Sequence, residues 1–487
     1  MAAHHHPEVS ARAPGAPARL RPAYLLALVP AAMLLVLLLR AVWDVDIFWQ
    51  LKLGELILAN HGPVLREPFS TLHLGEPLPA VAWAGQAAMA LARQVGGWNL
   101  LRVVDALCWL GGFWAVAAAC RLRGASMQGV MLALVLGFVA ALPTASIRPQ
   151  SFSCLCFGML LALQRLGLRP APTIALGTAL LVVWQNLHPS VSVGALAMGL
   201  TALAGWTAWL RDRGAPMPAA PSVLALVGLA ATFATPDGFS ILRTSALNAE
   251  ASIAIGASEW LPLWIPANRV NAVPVLVAAI LALRLVLTRR ARMDGGEIAV
   301  ALGLLLLTLT AYRFVLYAAV AMVPVIARAM APLEHGSAQA GRRVHPAAIL
   351  VPIVLVAVAA PLLAPTRFDR SLPLAAVERL REEGVRGTIY GDFPFGGAII
   401  DAGYPAWRVA YDGRYYRYSR KEWQYNGGIE NGIVPLVDVV RKWSPAAFVL
   451  DEHHNAPLAG ELARSRDWRR IFARGGIVVY VPRRPVV

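Results

Sequence analysis

Long apolar runs separated by short polar turns fill most of the chain before residue 366. The first run covers residues 24–42, and its length of about 20 residues is what a helix needs to cross the hydrocarbon core of a bilayer. Ten further runs follow at 98–120, 127–142, 152–166, 173–187, 191–210, 219–235, 272–287, 298–312, 314–330 and 347–363. The pattern predicts an α-helical polytopic membrane bundle of about eleven transmembrane helices.

One boundary between runs decides which side of the membrane the C-terminal part occupies. Residues 298–330 are interrupted only by Arg313, yet as one helix of 33 residues they would be about 50 Å long, too long for a bilayer. We therefore predict two helices that meet at Tyr312 and Arg313. With this break the number of spans is odd, and the two ends of the chain lie on opposite sides. Without it, the C-terminal part would be cytoplasmic.

Composition and charge agree with a membrane protein. Hydrophobic residues make up 57% of the chain and charged residues only 15%, a balance that a soluble protein of 487 residues could not bury. The net charge of +16 comes from basic residues that punctuate the apolar runs, which is typical of topology signals and not of nucleic-acid binding. Arg12, Arg19 and Arg21 before the first run predict a cytoplasmic N-terminus. Other basic residues fall on turns that the same count places inside: Arg121, Arg123, Arg165, Arg169, Arg211, Arg213, Arg289, Arg290, Arg292, Arg342 and Arg343.

The character of the chain changes after residue 366. Residues 387–390 and 447–450 are short apolar runs bounded by turn residues, and 434–441 has helical spacing. Alternating strands and helices predict a small α/β domain, which the odd number of spans places outside the cytoplasm. The predicted organisation is a disordered cytoplasmic tail at 1–22, a transmembrane domain at 23–366, and an extracytoplasmic α/β domain at 367–487.

The first outer loop, residues 43–97, has secondary structure of its own. Leucines at helical spacing after Trp49 predict a helix that lies in the membrane interface and ends at Gly62 and Pro63. Residues 81–95 predict a second interfacial helix. Residues 236–271 are predicted to form a long turn on the same outer side.

Asp44 and Asp46 are the strongest candidates for chemistry. They follow the first predicted span directly, beside Trp43 and Trp49, near the edge of the membrane. A carboxylate so close to hydrocarbon is energetically costly, and its presence there therefore suggests a function. A carboxylate there could accept a proton from a hydroxyl group or, with a partner, hold a divalent cation. The alternative is that both residues only end the helix and solvate its exit.

Four further polar residues fall on predicted outer turns. Arg148 and Arg313 could each bind a phosphate group, because a guanidinium can donate two parallel hydrogen bonds to phosphate oxygens. For Arg148 the alternative is a side chain that only extends to the lipid headgroups. His188 could be a general acid or a ligand, or simply cap a helix end. Glu259 could assist catalysis or bind a sugar, or be a solvated loop residue. The aromatic run at 411–416 could stack on sugars or form a domain core.

The sequence lacks the phosphate-binding loop, dinucleotide, HExxH and GxSxG motifs. Other short motifs lie along nearly the whole chain: DVDIFWQL at 44–51, EPFS at 67–70, RPQ at 148–150, WQNLH at 184–188, SEW at 258–260 and DGR at 412–414. Together they resemble the motifs of the C-type (GT-C) superfamily of multi-span glycosyltransferases, and look closest to bacterial relatives of the dolichyl-phosphate-mannose–protein mannosyltransferases.

The resemblance implies a GT-C-like fold in a bacterial inner (plasma) membrane and the inverting transfer of a sugar from a polyprenyl-phosphate carrier at the outer face. The acceptor would be a glycan, a lipid or a protein, and the other partner the membrane lipid. The family's base is an acidic residue of the first outer loop, which corresponds to Asp44 or Asp46. The mannosyltransferases have adjacent acids where this chain has Asp-Val-Asp, so the identity of the base is open.

Two alternatives belong to other functional classes. A transporter of lipid-linked glycans would need ionisable residues along a path at mid-membrane, but the candidate residues cluster at the outer rim. An assembly subunit of envelope polysaccharide synthesis would use the C-terminal domain as its binding module.

Overall fold

The computed structural model describes residues 22–288, 293–330 and 345–483. The predicted tail at 1–22 lies outside these residues apart from Pro22, as do the basic residues Arg289, Arg290, Arg292, Arg342 and Arg343. The helices before residue 366 are α1 (Pro22–Leu26), α2 (Val29–Leu39), α3 (Asp46–Ala59), α4 (Trp83–Leu122), α5 (Met127–Ala141), α6 (Gln150–Leu166), α7 (Pro170–Leu187), α8 (Val191–Arg211), α9 (Ala219–Ala231), α10 (Ser240–Ala254), α11 (Arg269–Thr288), α12 (Gly295–Thr310), α13 (Val315–Ala329) and α14 (Ala347–Leu363).

Each apolar run that predicts a span contains a helix in the structure. Among the described residues, five helices are long and apolar enough to cross a membrane: Trp83–Leu122, Met127–Thr144, Val191–Arg211, Pro266–Thr288 and Tyr312–Ala329. Shorter apolar helices are Tyr24–Leu39, Ala219–Ala231, Gly295–Thr310 and Ala347–Leu363. The helical membrane bundle is therefore confirmed, while the number of eleven crossings stays a prediction.

The predicted break near Arg313 is confirmed. Helix α12 ends at Thr310 and α13 begins at Val315, and a 3-10 turn, Tyr312–Phe314, joins them. The two helices pack against each other. Arg313 is thereby held at a turn between two helices, where its charge avoids the middle of an apolar helix.

The predicted interfacial helix at 81–95 and the following span form one helix with a kink. Helix α4 runs from Trp83 to Leu122, but Gly96 and Gly97 have non-helical backbone, and Gly97 has φ of 62° and ψ of −158°. Only glycine adopts this conformation at little cost. The kink falls where the sequence predicts the first outer loop to end.

Helix α6 lies against α4 at unusually close range. A Cβ at Gly158 would collide with the backbone of Gly112, and a Cβ at Gly112 would collide with the backbone of Cys154. Small residues let the backbones approach in this way. The contact fixes the position of the turn before α6, which carries Arg148.

The C-terminal part forms the predicted α/β arrangement. Its strands are β1 (Gly387–Gly391), β2 (Trp407–Val409), β3 (Ala447–Asp451), β4 (Trp468–Arg474) and β5 (Ile477–Pro482), and its helices are α15 (Leu374–Glu382), α16 (Gly396–Gly403), α17 (Arg420–Glu430), α18 (Leu436–Trp443) and α19 (Ala456–Arg464). Strand β1 pairs in parallel with both β2 and β3, while β5 pairs antiparallel with β3 and β4, so that the order is β2-β1-β3-β5-β4.

The first outer loop packs on this α/β part, which corrects one expectation. Helix α3 forms as predicted and ends at Ala59, but its apolar residues Ile47, Leu51 and Ile57 are buried in one cluster with Ile399 and Ile400 of α16. Its apolar face therefore meets protein and not the membrane interface. A helix that lies on a membrane and a helix that packs on a protein core have the same apolar periodicity, because both bury an apolar face. The sequence alone therefore does not distinguish the two.

The long turn predicted at 236–271 is also wrong in part. Residues Ser240–Ala254 form α10, and the 3-10 turns Ser258–Trp260 and Pro266–Asn268 follow. Helix α10 contacts the 3-10 turn Tyr415–Arg417 of the C-terminal part. It thus helps to enclose the cavity described next.

Candidate active site

A cavity of about 310 Å³ lies between the start of α3, the turn before α6, the α7–α8 connection, α10 and the C-terminal part. Five of the six site residues predicted from the sequence line it: Asp46, Arg148, His188, Glu259 and Arg313. They come from five separate segments of the chain. Their convergence on one cavity is what a binding or catalytic site requires.

The two aspartates of the first loop have different positions. Asp46 lines the cavity and accepts a hydrogen bond from Trp49 Nε1 at 3.0 Å. Asp44 is only 4% exposed and does not line the cavity; its Oδ1 accepts the Asp46 backbone N–H at 2.9 Å, and its Oδ2 lies 3.5 Å from Arg148 Nε. The predicted pair is therefore divided into one acid that faces the cavity and one that supports it.

The surroundings of Asp46 move its pKa toward neutrality. Burial and the nearby charge of Asp44 raise the pKa of Asp46 from its ordinary value to about 7, although the Trp49 hydrogen bond and Arg148 oppose the shift. A carboxylate with a pKa near neutrality can take up a proton during a reaction and release it afterwards.

Arg148 and Glu259 form an ion pair in the cavity wall. Arg148 Nη2 donates to Glu259 Oε2 at 2.8 Å. Burial alone would raise the pKa of Glu259, but Arg148 and Arg313 outweigh it and lower that pKa to about 2. Glu259 is therefore ionised at neutral pH and positions Arg148, and it does not have the pKa of a catalytic base.

Arg313 provides a second guanidinium in the same cavity. Its Cζ lies 3.8 Å from the centroid of the Trp260 ring, so the side chain is stacked on an aromatic face. Its Nη1 is buried and has no hydrogen-bond acceptor within the described part of the chain. A buried donor of this kind is costly unless a ligand satisfies it. Arg313 and Arg148 together suit an anionic group such as a phosphate.

His188 is a neutral member of the site. It follows α7 directly, and its Nδ1 lies 3.0 Å from Ser190 Oγ. Burial, together with the charges of Arg313 and Arg148, lowers the pKa of His188 to about 3. At neutral pH the imidazole is uncharged, and the single N–H that it keeps is too weakly acidic for a general acid. A neutral hydrogen-bonding role fits it instead.

The two aspartates do not face the cavity together. Asp46 lines it and Asp44 does not, and the positive group beside Asp44 is Arg148. Over residues 22–288, 293–330 and 345–483, no three His, Cys, Asp or Glu side chains are grouped as metal ligands.

The C-terminal part closes the cavity over Asp46. A Cβ at Gly413 would collide with Asp46 Oδ1, and Tyr415 and Tyr416 line the same cavity. Tyr411, in contrast, is 1% exposed and packs in the core of the α/β part. Tyr411 therefore belongs to the domain core, as one sequence interpretation predicts, while the stacking of this aromatic run on sugars stays a prediction.

A buried ion-pair cluster fixes Gly413 in that position. Arg414 donates through Nη1 and Nη2 to both carboxylate oxygens of Glu67, at 2.7 and 2.9 Å, and through Nε and Nη2 to those of Asp412, at 2.9 and 2.7 Å. Glu67 also accepts the backbone N–H groups of Phe69 and Ser70. All three charged side chains are fully buried. The EPFS and DGR motifs thus form one structural unit that joins the first loop to the C-terminal part.

Sequence reasoning missed Asp105, which does not line the cavity but contacts the turn that carries Arg148. It lies on α4, is 7% exposed, and accepts hydrogen bonds from Ser151 Oγ and the Arg148 backbone N–H. It thereby fixes the turn that carries Arg148. The available signal was a single acid inside an apolar run, a placement that usually marks a functional site.

Comparison with known proteins supports the fold. No family model and no curated protein sequence matches the chain. The cryo-EM structure of the arabinofuranosyltransferase AftD from mycobacteria covers 94% of the chain with a TM-score of 0.53 and 14% identity, and the chain spans 40% of AftD. The match to the crystal structure of apo ArnT from Cupriavidus metallidurans covers 94% of the chain and 97% of ArnT, with 13% identity and a TM-score of 0.39. The likeness to AftD shows a GT-C fold, as predicted.

Proposed function

We propose that this chain, which has the GT-C fold, is a membrane glycosyltransferase that moves a sugar from a polyprenyl-phosphate carrier to an acceptor hydroxyl at the outer face of a bacterial inner membrane. The observation that carries the proposal is that one cavity holds a carboxylate with a raised pKa beside two guanidiniums. Base and phosphate-binding groups are the two requirements of this reaction. The domain division and membrane orientation predicted from the sequence belong to the same proposal.

In the proposed reaction, Asp46 accepts the proton of the acceptor hydroxyl as that oxygen attacks the anomeric carbon of the donor sugar. The bond from the sugar to the carrier phosphate breaks, and the electron pair stays on the phosphate oxygen. Arg148 and Arg313 stabilise the resulting negative charge. Because these cations are already held in position, they need not reorganise as the charge forms. Asp44 keeps the Asp46 backbone and Arg148 in place.

The direct test is mass analysis of lipid-linked sugars and envelope glycans in cells with and without the protein. Loss of the protein is expected to remove one sugar from an envelope glycan and to increase the amount of one polyprenyl-phosphate sugar. An unchanged glycan profile, with unchanged carrier lipids, would contradict the proposal.

The rate of transfer is expected to rise with pH through about 7. Asp46 must be deprotonated to accept a proton, and its pKa of about 7 places that change at neutrality. In Asp44→Asn, loss of the neighbouring charge is expected to lower the Asp46 pKa and to move the acidic limb of the profile to lower pH. The measurement is kcat/KM against pH in both proteins; an identical acidic limb would argue against this electrostatic coupling.

Substitution of Arg313 tests the phosphate site. Arg313→Gln is expected to reduce transfer by at least about tenfold, because a hydrogen bond between charged groups is lost. Arg213 offers a matched control: its guanidinium also stacks on a tryptophan, 3.7 Å from the Trp209 ring centroid, but it does not line the cavity. Arg213→Gln should retain full activity, and equal losses in the two variants would remove Arg313 from the proposed site.

A further inference from the structure

A second cavity, of about 330 Å³, lies at the far end of α6 from Arg148. Helix α6 begins beside Arg148 and ends at Leu166, so the two cavities are separated by roughly 25 Å along its axis. The second cavity is enclosed by the ends of α4, α6, α12 and α13 and by Thr201 of α8. The proposed sugar transfer uses none of these residues.

The wall of this second cavity carries an excess of positive charge. Arg165 Nη1 lies 2.5 Å from Glu297 Oε1, and Arg328 Nε lies 2.9 Å from Glu297 Oε2, so two guanidiniums share one carboxylate. Asp294 lies 3.9 Å from Arg328 and caps α12 by accepting the Glu297 N–H. Arg123 also lines the cavity and has no ion-pair partner in the described ranges. Among the residues that the structure describes, three cations therefore face two acids.

Two hydrogen-bond donors at the cavity are buried without an acceptor. They are Gln164 Nε2 and Arg165 Nε, which have no partner among residues 22–288, 293–330 and 345–483. Such groups are costly in a folded protein unless a ligand or water satisfies them. A ligand that supplies several acceptor oxygens and a negative charge would match both the donors and the excess charge. Phosphate is such a group.

We propose that this second cavity binds a phosphate group, supplied by the headgroup of an anionic lipid or by a free phosphate. Apolar side chains from three helices, Leu161, Val300 and Ala321, line it beside the arginines. A basic pocket between the ends of membrane helices is the usual form of an anionic-lipid site. The three arginines exclude a cation as the ligand. The proposal is independent of sugar transfer, so either can fail without the other.

The test is ligand-dependent thermal stability of the purified full chain in neutral detergent. Phosphatidylglycerol is expected to raise Tm, whereas phosphatidylcholine, whose phosphate charge is balanced by its own ammonium group, should have a much smaller effect. Gln164→Leu and Arg123→Gln should each require about tenfold more phosphatidylglycerol for the same shift, since each removes a donor to a charged group. Arg211→Gln removes an exposed arginine outside the cavity and should respond as the wild type does.

Inorganic phosphate alone separates the two sources. If it reproduces the shift at similar concentration and depends on the same residues, the ligand is a free phosphate; if only the lipid acts, the ligand is a headgroup. Equal stabilisation by phosphatidylcholine and phosphatidylglycerol, or an unchanged response in both cavity variants, overturns the proposal. Two variants are used so that poor folding of one leaves the other as the test.

Discussion

Replacing Asp46 with asparagine is expected to lower sugar transfer by about 10²- to 10⁴-fold, the usual contribution of a positioned general base. The amide cannot accept the proton of an acceptor hydroxyl, yet its shape is retained, and its oxygen can still accept the hydrogen bond from Trp49 Nε1. The measurement is turnover of a polyprenyl-phosphate sugar by the purified protein.

Asp44→Asn is the matched control for this loss. Asp44 lies next to Asp46 but does not line the cavity, and an asparagine oxygen can still accept the Asp46 backbone N–H. This variant should keep most of its activity at a pH above neutrality. If Asp46→Asn transfers sugar at the wild-type rate, Asp46 is not the base. The same follows if Asp44→Asn is inactive while Asp46→Asn remains active.

Replacing Arg414 with methionine is expected to produce a large loss of stability. The substitution leaves Glu67 and Asp412 buried as two like charges without their shared cation. Removing one partner of a buried ion pair costs about 3–5 kcal/mol. Lysine should not restore the lost stability, because it cannot form the paired hydrogen bonds that Arg414 makes with two carboxylates.

Hydrogen exchange can locate this destabilisation. Amides in α3 and β2, on the two sides of the joint, should exchange about 10²- to 10⁴-fold faster in Arg414→Met, as follows from a loss of about 3–5 kcal/mol. Arg441→Met is the control, since Arg441 pairs with Asp438 at the surface, where ion pairs contribute little. Unchanged exchange in Arg414→Met would show that the cluster does not hold the first loop to the C-terminal part.

The split of the aspartate pair shows where prediction from the sequence stops. Both residues were recognisable, because acids directly after an apolar run are unusual. Their roles were not, since these depend on Arg148, which is about 100 residues away and lies beside Asp44. Asp46 is left to face the cavity, and its raised pKa follows from burial that no local pattern records.

The lengths of the apolar runs determined the membrane helices and the break at Arg313, because a helix much longer than the bilayer is thick does not fit as one span. The alternation of short apolar runs with helical spacing determined the α/β character of the C-terminal part. Only the tertiary structure decided what each apolar face contacts: α3 meets the α/β part, where the sequence predicts a membrane interface. It also decided that Gly413 closes over Asp46 and that five distant polar residues share one cavity. These relations depend on contacts between distant segments, which packing and ion pairing select and which sequence spacing does not encode.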